Sequence, residues 1–121
     1  MKNTEFWIRD PFVLLDGGRY YMYGTTRSRE KAGFDVYVSD DLENWEGPIP
    51  VFEYSEGFWG KMHYWAPEVY KYRGAYYMFA TFKDDGPWHG CQILRSESPT
   101  GPFLPHGKSP HYALHLSPRP R

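Results

Sequence analysis

Apolar and polar positions alternate with a period of two through most of the chain, in short runs of aromatic and β-branched residues bounded by Gly, Pro and Asp. No stretch sustains the 3.6-residue repeat of a long amphipathic helix, so the pattern predicts an all-β fold. Strands are expected over 12–15, 20–25, 34–39 and 49–52, and again over 69–72, 76–82, 92–96 and 103–104. Asp16-Gly17-Gly18 and Arg73-Gly74 fall between the first two strands of each group. Glycine there accepts the positive φ that tight hairpin loops need.

The two groups are copies of one unit. A shift of 56 places Gly18 to Thr25 on Gly74 to Thr81 with five of eight residues identical, and brings Pro11 onto Pro67 and Val13 onto Val69. At a shift of 57, Val36 falls on Ile93, Val38 on Arg95 and Ser39 on Ser96. The unit is about 56 residues of four strands, and a four-stranded unit recurring at roughly 40 to 50 residues is the signature of a propeller blade, which cannot bury both of its faces alone. We therefore expect two blades, 5–58 and 59–107, followed by an irregular Pro-rich tail over 108–121. Propellers close with about four to eight blades. The expected fold is thus a partial propeller, either a fragment or one completed by a homo-oligomer of this chain.

Composition narrows the function classes. Aromatic residues make up 20% of the chain, which argues against disorder because such rings gain free energy by burial or stacking. Lys+Arg 14 against Asp+Glu 15, with no basic block, disfavours a nucleic-acid partner. The apolar run Ala75 to Phe82 is far short of the roughly 20 residues a spanning helix needs, so no membrane partner is expected. Met1 to Glu5 lacks the apolar stretch of a secretory signal, which leaves a cytoplasmic chain or a secreted one whose signal has been removed. The lone Cys91 reads as a small hydrophobe.

Each unit opens on a short polar motif, Ile8-Arg9-Asp10-Pro11-Phe12 and His63-Tyr64-Trp65-Ala66-Pro67-Glu68-Val69. The innermost strands of a propeller start at its central channel, so Asp10 and Glu68 can share one pocket. Phe6, Trp7, Tyr64 and Trp65 can offer a platform for a sugar ring. Asp-Pro is also a common turn initiator, which accounts equally well for Asp10 if the motif stands alone. His111-x-x-x-His115 has a helical metal-ligand spacing, but the surrounding prolines oppose a helix, and no metal site is expected. Trp45 and Trp59 read as packing between blades.

Arg9-Asp10-Pro11, the Gly-Arg-Tyr-Tyr-Met-Tyr hairpin, Ser39-Asp40-Asp41-Leu42-Glu43-Asn44-Trp45 and Trp65-Ala66-Pro67-Glu68 together resemble the N-terminal part of family 43 glycoside hydrolases. These are five-bladed propellers that include β-xylosidases, α-L-arabinofuranosidases and arabinanases. The resemblance spans residues 5 to 107 and two of five blades. It implies inverting hydrolysis of glycosidic bonds in polysaccharides such as xylan or arabinan, with Asp10 as the general base. An inverting enzyme also needs a protonated carboxyl across the bond, about 6.5–9.5 Å away. In the family that acid comes from a later blade, so Glu68 stands as the second carboxylate of the pocket without an assigned proton role. Arg9, His63, Trp65, Phe34 and Trp88 are the expected substrate contacts. Arg9 is equally readable as a structural partner of a carbonyl or of Glu5, and Trp88 as a cover for a blade edge. The channel metal of some family members takes its ligand from a later blade, so no obligatory cofactor is expected. The alternative is a catalytically inactive, carbohydrate-binding or structural propeller fragment.

Overall fold

The computed structural model describes residues 1–26, 29–107 and 112–113. Its strands are β1 (Arg9–Asp16), β2 (Arg19–Thr25), β3 (Gly33–Ser39), β4 (Trp45–Glu53), β5 (Met62–Tyr72), β6 (Ala75–Lys83), β7 (His89–Ser96), β8 (Leu104–Pro105) and β9 (Tyr112–Ala113). They form two antiparallel sheets, ordered β1-β2-β3-β4 and β5-β6-β7-β8, with β9 also pairing to β7. The two sheets are the two expected propeller blades. Most of the segment expected as an irregular tail lies outside the described residues, although Tyr112–Ala113 within it pairs with Cys91 and Gly90.

The repeat in sequence is a repeat in backbone. Gly17 and Gly18 have φ of 58° and 79°, and Arg73 and Gly74 have 49° and 79°. Each pair forms a two-residue loop with both residues left-handed, the geometry that matches the twist of the flanking strands. Ser39 Oγ accepts from the N–H groups of Asp41 and Leu42 at 3.1 and 2.9 Å, and Ser96 Oγ accepts from that of Ser98 at 3.1 Å. Asp41 in turn accepts from the N–H groups of Asn44 and Glu43, which hold its carboxyl far below the usual carboxylate range. The Ser-Asp-Asp-Leu motif is therefore the device that turns β3 into β4.

Strands β4 and β5 start earlier than expected, at Trp45 and Met62. Both beginnings contain register shifts, which break the period-two alternation by which a strand is recognised.

The sheets pack face to face, β5 lying against β1 and β2. Tyr23, Phe34, Val36, Val38, Val51 and Phe52 of the first sheet meet Val69, Tyr76, Met78, Ala80, Phe82 and Leu94 of the second. Phe82 is at the centre, with the rings of Tyr64, Phe58, Trp59, Phe34 and Phe52 at 4.8, 5.1, 5.7, 6.0 and 6.1 Å. Trp59 thus packs at the seam between the sheets as expected. Trp45 does not: it packs against Phe6 and donates from its indole to Asn3, so that the N-terminal segment lines the outer side of the first sheet. Phe6 also stacks on Tyr37 at 4.1 Å.

Polar bonds stitch the same seam. Tyr23 donates to the Pro99 carbonyl at 2.6 Å, the Phe103 N–H donates to the Val51 carbonyl at 2.8 Å, and Tyr76 and Lys71 both reach Asp16. Truncating Phe82 to alanine removes ring contacts that the surrounding backbone cannot close over. Phe82→Ala should lower the unfolding free energy by about 3–5 kcal/mol, whereas Leu104→Ala, on the surface, should change it by no more than about 0.5 kcal/mol. Urea denaturation monitored by circular dichroism measures both. A Phe82→Ala loss no larger than that of Leu104→Ala would mean that the sheets do not pack through this ring.

Candidate active site

The first strand of each sheet is bent at the same place. Between Arg9↔Thr25 and Phe12↔Tyr23, β1 carries one residue more than β2, and β5 carries extra residues on either side of Trp65. The bulges hold Asp10 at φ 51°, His63 at 56° and Ala66 at 51°. These are left-handed values that cost a non-glycine residue of order 1–3 kcal/mol and persist only where packing enforces them. Asp10 and Ala66 are equivalent in the repeat, each followed by proline, so one bulge presents a carboxylate where the other presents a methyl group.

What enforces the bend was not legible in the motifs. A Cβ on Gly24 would collide with the Ile8 side chain and lie 3.0 Å from the Arg9 carbonyl oxygen, so glycine lets the bulged segment lie flat on β2. Thr25, buried and paired with Arg9, accepts at Oγ1 from the Ala66 N–H at 3.1 Å and so ties the second bulge to the first sheet. Thr25 and Thr81 coincide in the repeat, which was the one available signal for a residue whose role is to position others.

Asp10 and Glu68 line the same cavity, of about 280 Å³, with Pro11, Phe12, Ala66 and Pro67. Both carboxylates are exposed. Tyr70 donates to Glu68 Oε1 at 2.6 Å, which raises the Tyr70 hydroxyl above its ordinary value, and the Tyr70 ring meets Phe12 edge-on at 5.3 Å. Arg9 is exposed with its guanidinium over the Trp7 ring at 5.4 Å, while Glu5, its suggested partner, accepts from the Lys2 N–H.

Beside this cavity, β5 carries an aromatic ledge. His63 stacks on Trp65 at 4.4 Å and 7°, and its Nδ1 lies 3.3 Å from Nε2 of His89. Burial, then the neighbouring His89 and Lys83, push the His63 imidazole below its ordinary 6.5. Trp65 is 44% exposed, which leaves ring surface for a ligand. His63 and Trp65 also line a second cavity of about 280 Å³ with Thr25, Thr26, Arg29 and Tyr64.

Two expected contacts are corrected. Phe34 is fully buried, because alternation along β3 turns it toward Tyr64 and Phe82. Trp88 is only 8% exposed, because Asp84 accepts from the Gly86 and Trp88 N–H groups and folds the loop back so that the indole lies on Trp59 at 4.9 Å. Neither offers a sugar a face. Among the flanking aromatics, Phe6 and Tyr64 are likewise taken up in packing, the Tyr64 hydroxyl donating to the Gly60 carbonyl at 2.8 Å. Burial raises the Cys91 thiol, in keeping with a structural role. Among the described residues, no group of three or more His, Cys, Asp or Glu side chains converges as a metal site; His111 and His115 lie outside them.

Known proteins resemble this chain in sequence and fold. The family model for glycosyl hydrolases family 43 matches residues 4–116. An endo-arabinase structure from Bacteroides thetaiotaomicron superposes with a TM-score of 0.76 at 36% identity, over 98% of this chain and 39% of that one. An endo-1,4-beta-xylanase structure from the same organism gives 0.77 at 30% identity, over 93% and 38%. An extracellular exo-alpha-(1->5)-L-arabinofuranosidase of Cellvibrio japonicus is 25% identical over 105 residues, 78% of this chain and 28% of that protein. This chain thus spans about two-fifths of the solved structures and less than a third of the arabinofuranosidase. With a match over nearly its whole length, it belongs to family 43 of the glycosyl hydrolases.

Proposed function

We propose that this chain carries the base-bearing part of a glycosidase that cleaves O-glycosidic bonds in arabinan- or xylan-type polysaccharides with inversion. The observation that carries the reading is the single cavity lined by Asp10 and Glu68 beside the Trp65 and His63 ledge. Two solved relatives, an endo-arabinase at 36% identity and an endo-1,4-beta-xylanase at 30%, support the substrate class.

Asp10 acts as general base. As a water oxygen attacks the anomeric carbon, the carboxylate takes the water proton, the bond to the leaving oxygen breaks, and that oxygen takes a proton from an acid on the other side. The family resemblance assigns that acid to a later blade. Glu68 is the second carboxylate of the cavity and holds sugar hydroxyls with the Tyr70 hydroxyl at its side. An apolar face of the sugar lies on Trp65, while Arg9 and His63 meet its polar rim.

Aryl glycosides test Asp10 without the acid, because nitrophenolate leaves unprotonated. Release of nitrophenol from arabinoside or xyloside should fall by about 10²–10⁴-fold in Asp10→Asn. Unchanged release would overturn the base assignment, and binding of oligosaccharide without any release by the unaltered chain would favour the carbohydrate-binding alternative. Glu68→Gln should raise KM by roughly tenfold or more, the loss of a hydrogen bond to a charged group, and leave kcat nearly unchanged. A fall in kcat restricted to poor leaving groups would instead make Glu68 the acid.

The ledge has a pH signature. A histidine whose folded value lies below its unfolded one leaves the folded chain with fewer bound protons just under pH 6.5, so stability rises with pH through that window and is lost as pH falls. Imidazole NMR should place the His63 midpoint below 6.5. His89→Gln should raise that midpoint and still leave it below 6.5, since burial is the larger cause. A midpoint at or above 6.5 in the unaltered chain would refute the packed ledge.

A further inference from the structure

At His63 the backbone of β5 leaves regular alternation, and the side chain there meets His89, a residue with no role so far. Strands β5 and β7 are not neighbours, because β6 runs between them. Their backbones are therefore about two strand spacings, roughly 10 Å, apart. Lys83 of β6 pairs with Met62 on one side and with His89 on the other. His63 follows Met62 inside the bulge, at a left-handed φ of 56°, and its ring reaches across β6 to His89 while lying on Trp65.

The surroundings keep this crossing open. The Lys83 ammonium donates to the carbonyls of Asp84 and Gly86 instead of standing between the rings. The Asp84 N–H donates to the Trp88 carbonyl at 3.0 Å and the Trp88 N–H to the Asp84 carboxylate at 3.2 Å, so the loop that delivers His89 is closed on itself.

The two imidazoles meet edge to edge. Nδ1 of His63 is 3.3 Å from Nε2 of His89, the ring planes differ by 14° and the centroids are 5.6 Å apart. Two facing ring nitrogens share one proton: with two the N–H groups repel, and with none the lone pairs do. Which nitrogen of a neutral imidazole carries the proton is set by the bond the other one makes. If His89 donates from Nε2, His63 accepts at Nδ1 and carries its own proton on Nε2. The Nε2–H form is also the more stable one for a neutral histidine side chain, and this pairing lets both rings keep it. Burial, His89 and the Lys83 cation all oppose a further proton on His63, so the neutral pair is the one present at neutral pH. With Nδ1 taken, Nε2 is the polar atom His63 has left, and His63, unlike His89, lines the cavity shared by Thr25, Arg29 and Trp65.

We propose that His89 is a positioning residue, which donates to His63 Nδ1, holds that ring flat on Trp65 and leaves the His63 Nε2–H as a fixed donor to an oxygen of the bound sugar. The donation to sugar rests on the ledge's being the carbohydrate site proposed above, whereas the tautomer is a property of the pair alone.

Two measurements separate these steps. Imidazole nitrogen NMR of the whole chain at neutral pH should show His63 protonated at Nε2 and bare at Nδ1, and a His63 that carries its proton on Nδ1 overturns the proposal. His89→Leu removes the donor and should leave His63 exchanging between both forms, while His89→Gln, whose amide N–H has a similar reach, should restore the Nε2–H signature. Calorimetric titration with arabino- and xylo-oligosaccharides is the second measurement. Binding should weaken by about five- to tenfold in His89→Leu, the loss of one neutral hydrogen bond, and recover most of that in His89→Gln. In hydrolysis the same change should fall on KM with kcat nearly unchanged. His89 is at the surface end of β7, and an unchanged circular dichroism spectrum confirms that both variants fold. Binding that is equal in all three forms, or a glutamine variant no better than leucine, overturns the positioning role alone. A chain that binds neither oligosaccharide overturns the carbohydrate reading and with it the donation to sugar.

Discussion

A sheet with apolar side chains on both faces has to be covered twice, and a single contact between two such sheets covers each only once. The chain meets this constraint at the seam around Phe82, where rings from both sheets close on one another. Everything else is arranged with respect to that seam. The N-terminal residues line the outside of the first sheet at Tyr37 and Trp45, and the aromatic groove on the second, lined by Tyr70, Tyr72, Tyr77 and Phe79, is left for a further blade. Because β1 and β5 lie side by side at the seam, the polar motifs that begin them share a cavity without any contact between the carboxylates having been selected by local structure.

The bends at Asp10 and Ala66 show how one backbone device serves two ends. In both strands a bulge holds the residue before a proline in a left-handed conformation, and the identity of that residue decides whether the site gains chemistry or merely shape. Thr25 links the two bulges by a single hydrogen bond, so the position of the Asp10 segment relative to β5 depends on a residue with no chemistry of its own. Removing the glycine opposite the first bulge would press Ile8 outward and move the carboxylate with it.

Much of this was legible in the residues. Period-two alternation located every main strand, and the 56-residue repeat located both sheets, because burial on a pleated surface imposes that alternation directly. The hairpin glycines named their turns for the same kind of reason. Bulges leave no such trace because they interrupt the very period that marks a strand, which is why β5 begins seven residues before its alternation does. Phe34 and Trp88 depart from expectation for another reason. An aromatic side chain carries no mark in sequence that says whether it faces a ligand or a neighbour, and only the pairing of β3 and the fold of the Asp84 loop decide it. The pairing of Asp10 with Glu68 across one cavity was anticipated, whereas Gly24 and Thr25, which hold the frame, have no motif to announce them.

The prolines of the two sheets follow a pattern with a bearing on how the molecule meets others. Pro11 lies in β1, Pro48 and Pro50 in β4, Pro67 in β5 and Pro105 in β8, while β2, β3, β6 and β7 contain none. The proline-bearing strands are the outer members of the two four-strand paths. A residue without an N–H cannot donate to an added strand, so each margin is poorly suited to growing sideways into a continuous fibrillar sheet. The broad faces carry no such guard. A chain rich in aromatic strands is thereby steered away from edge-to-edge polymerisation and toward layered contacts, in which side chains rather than backbone set the fit.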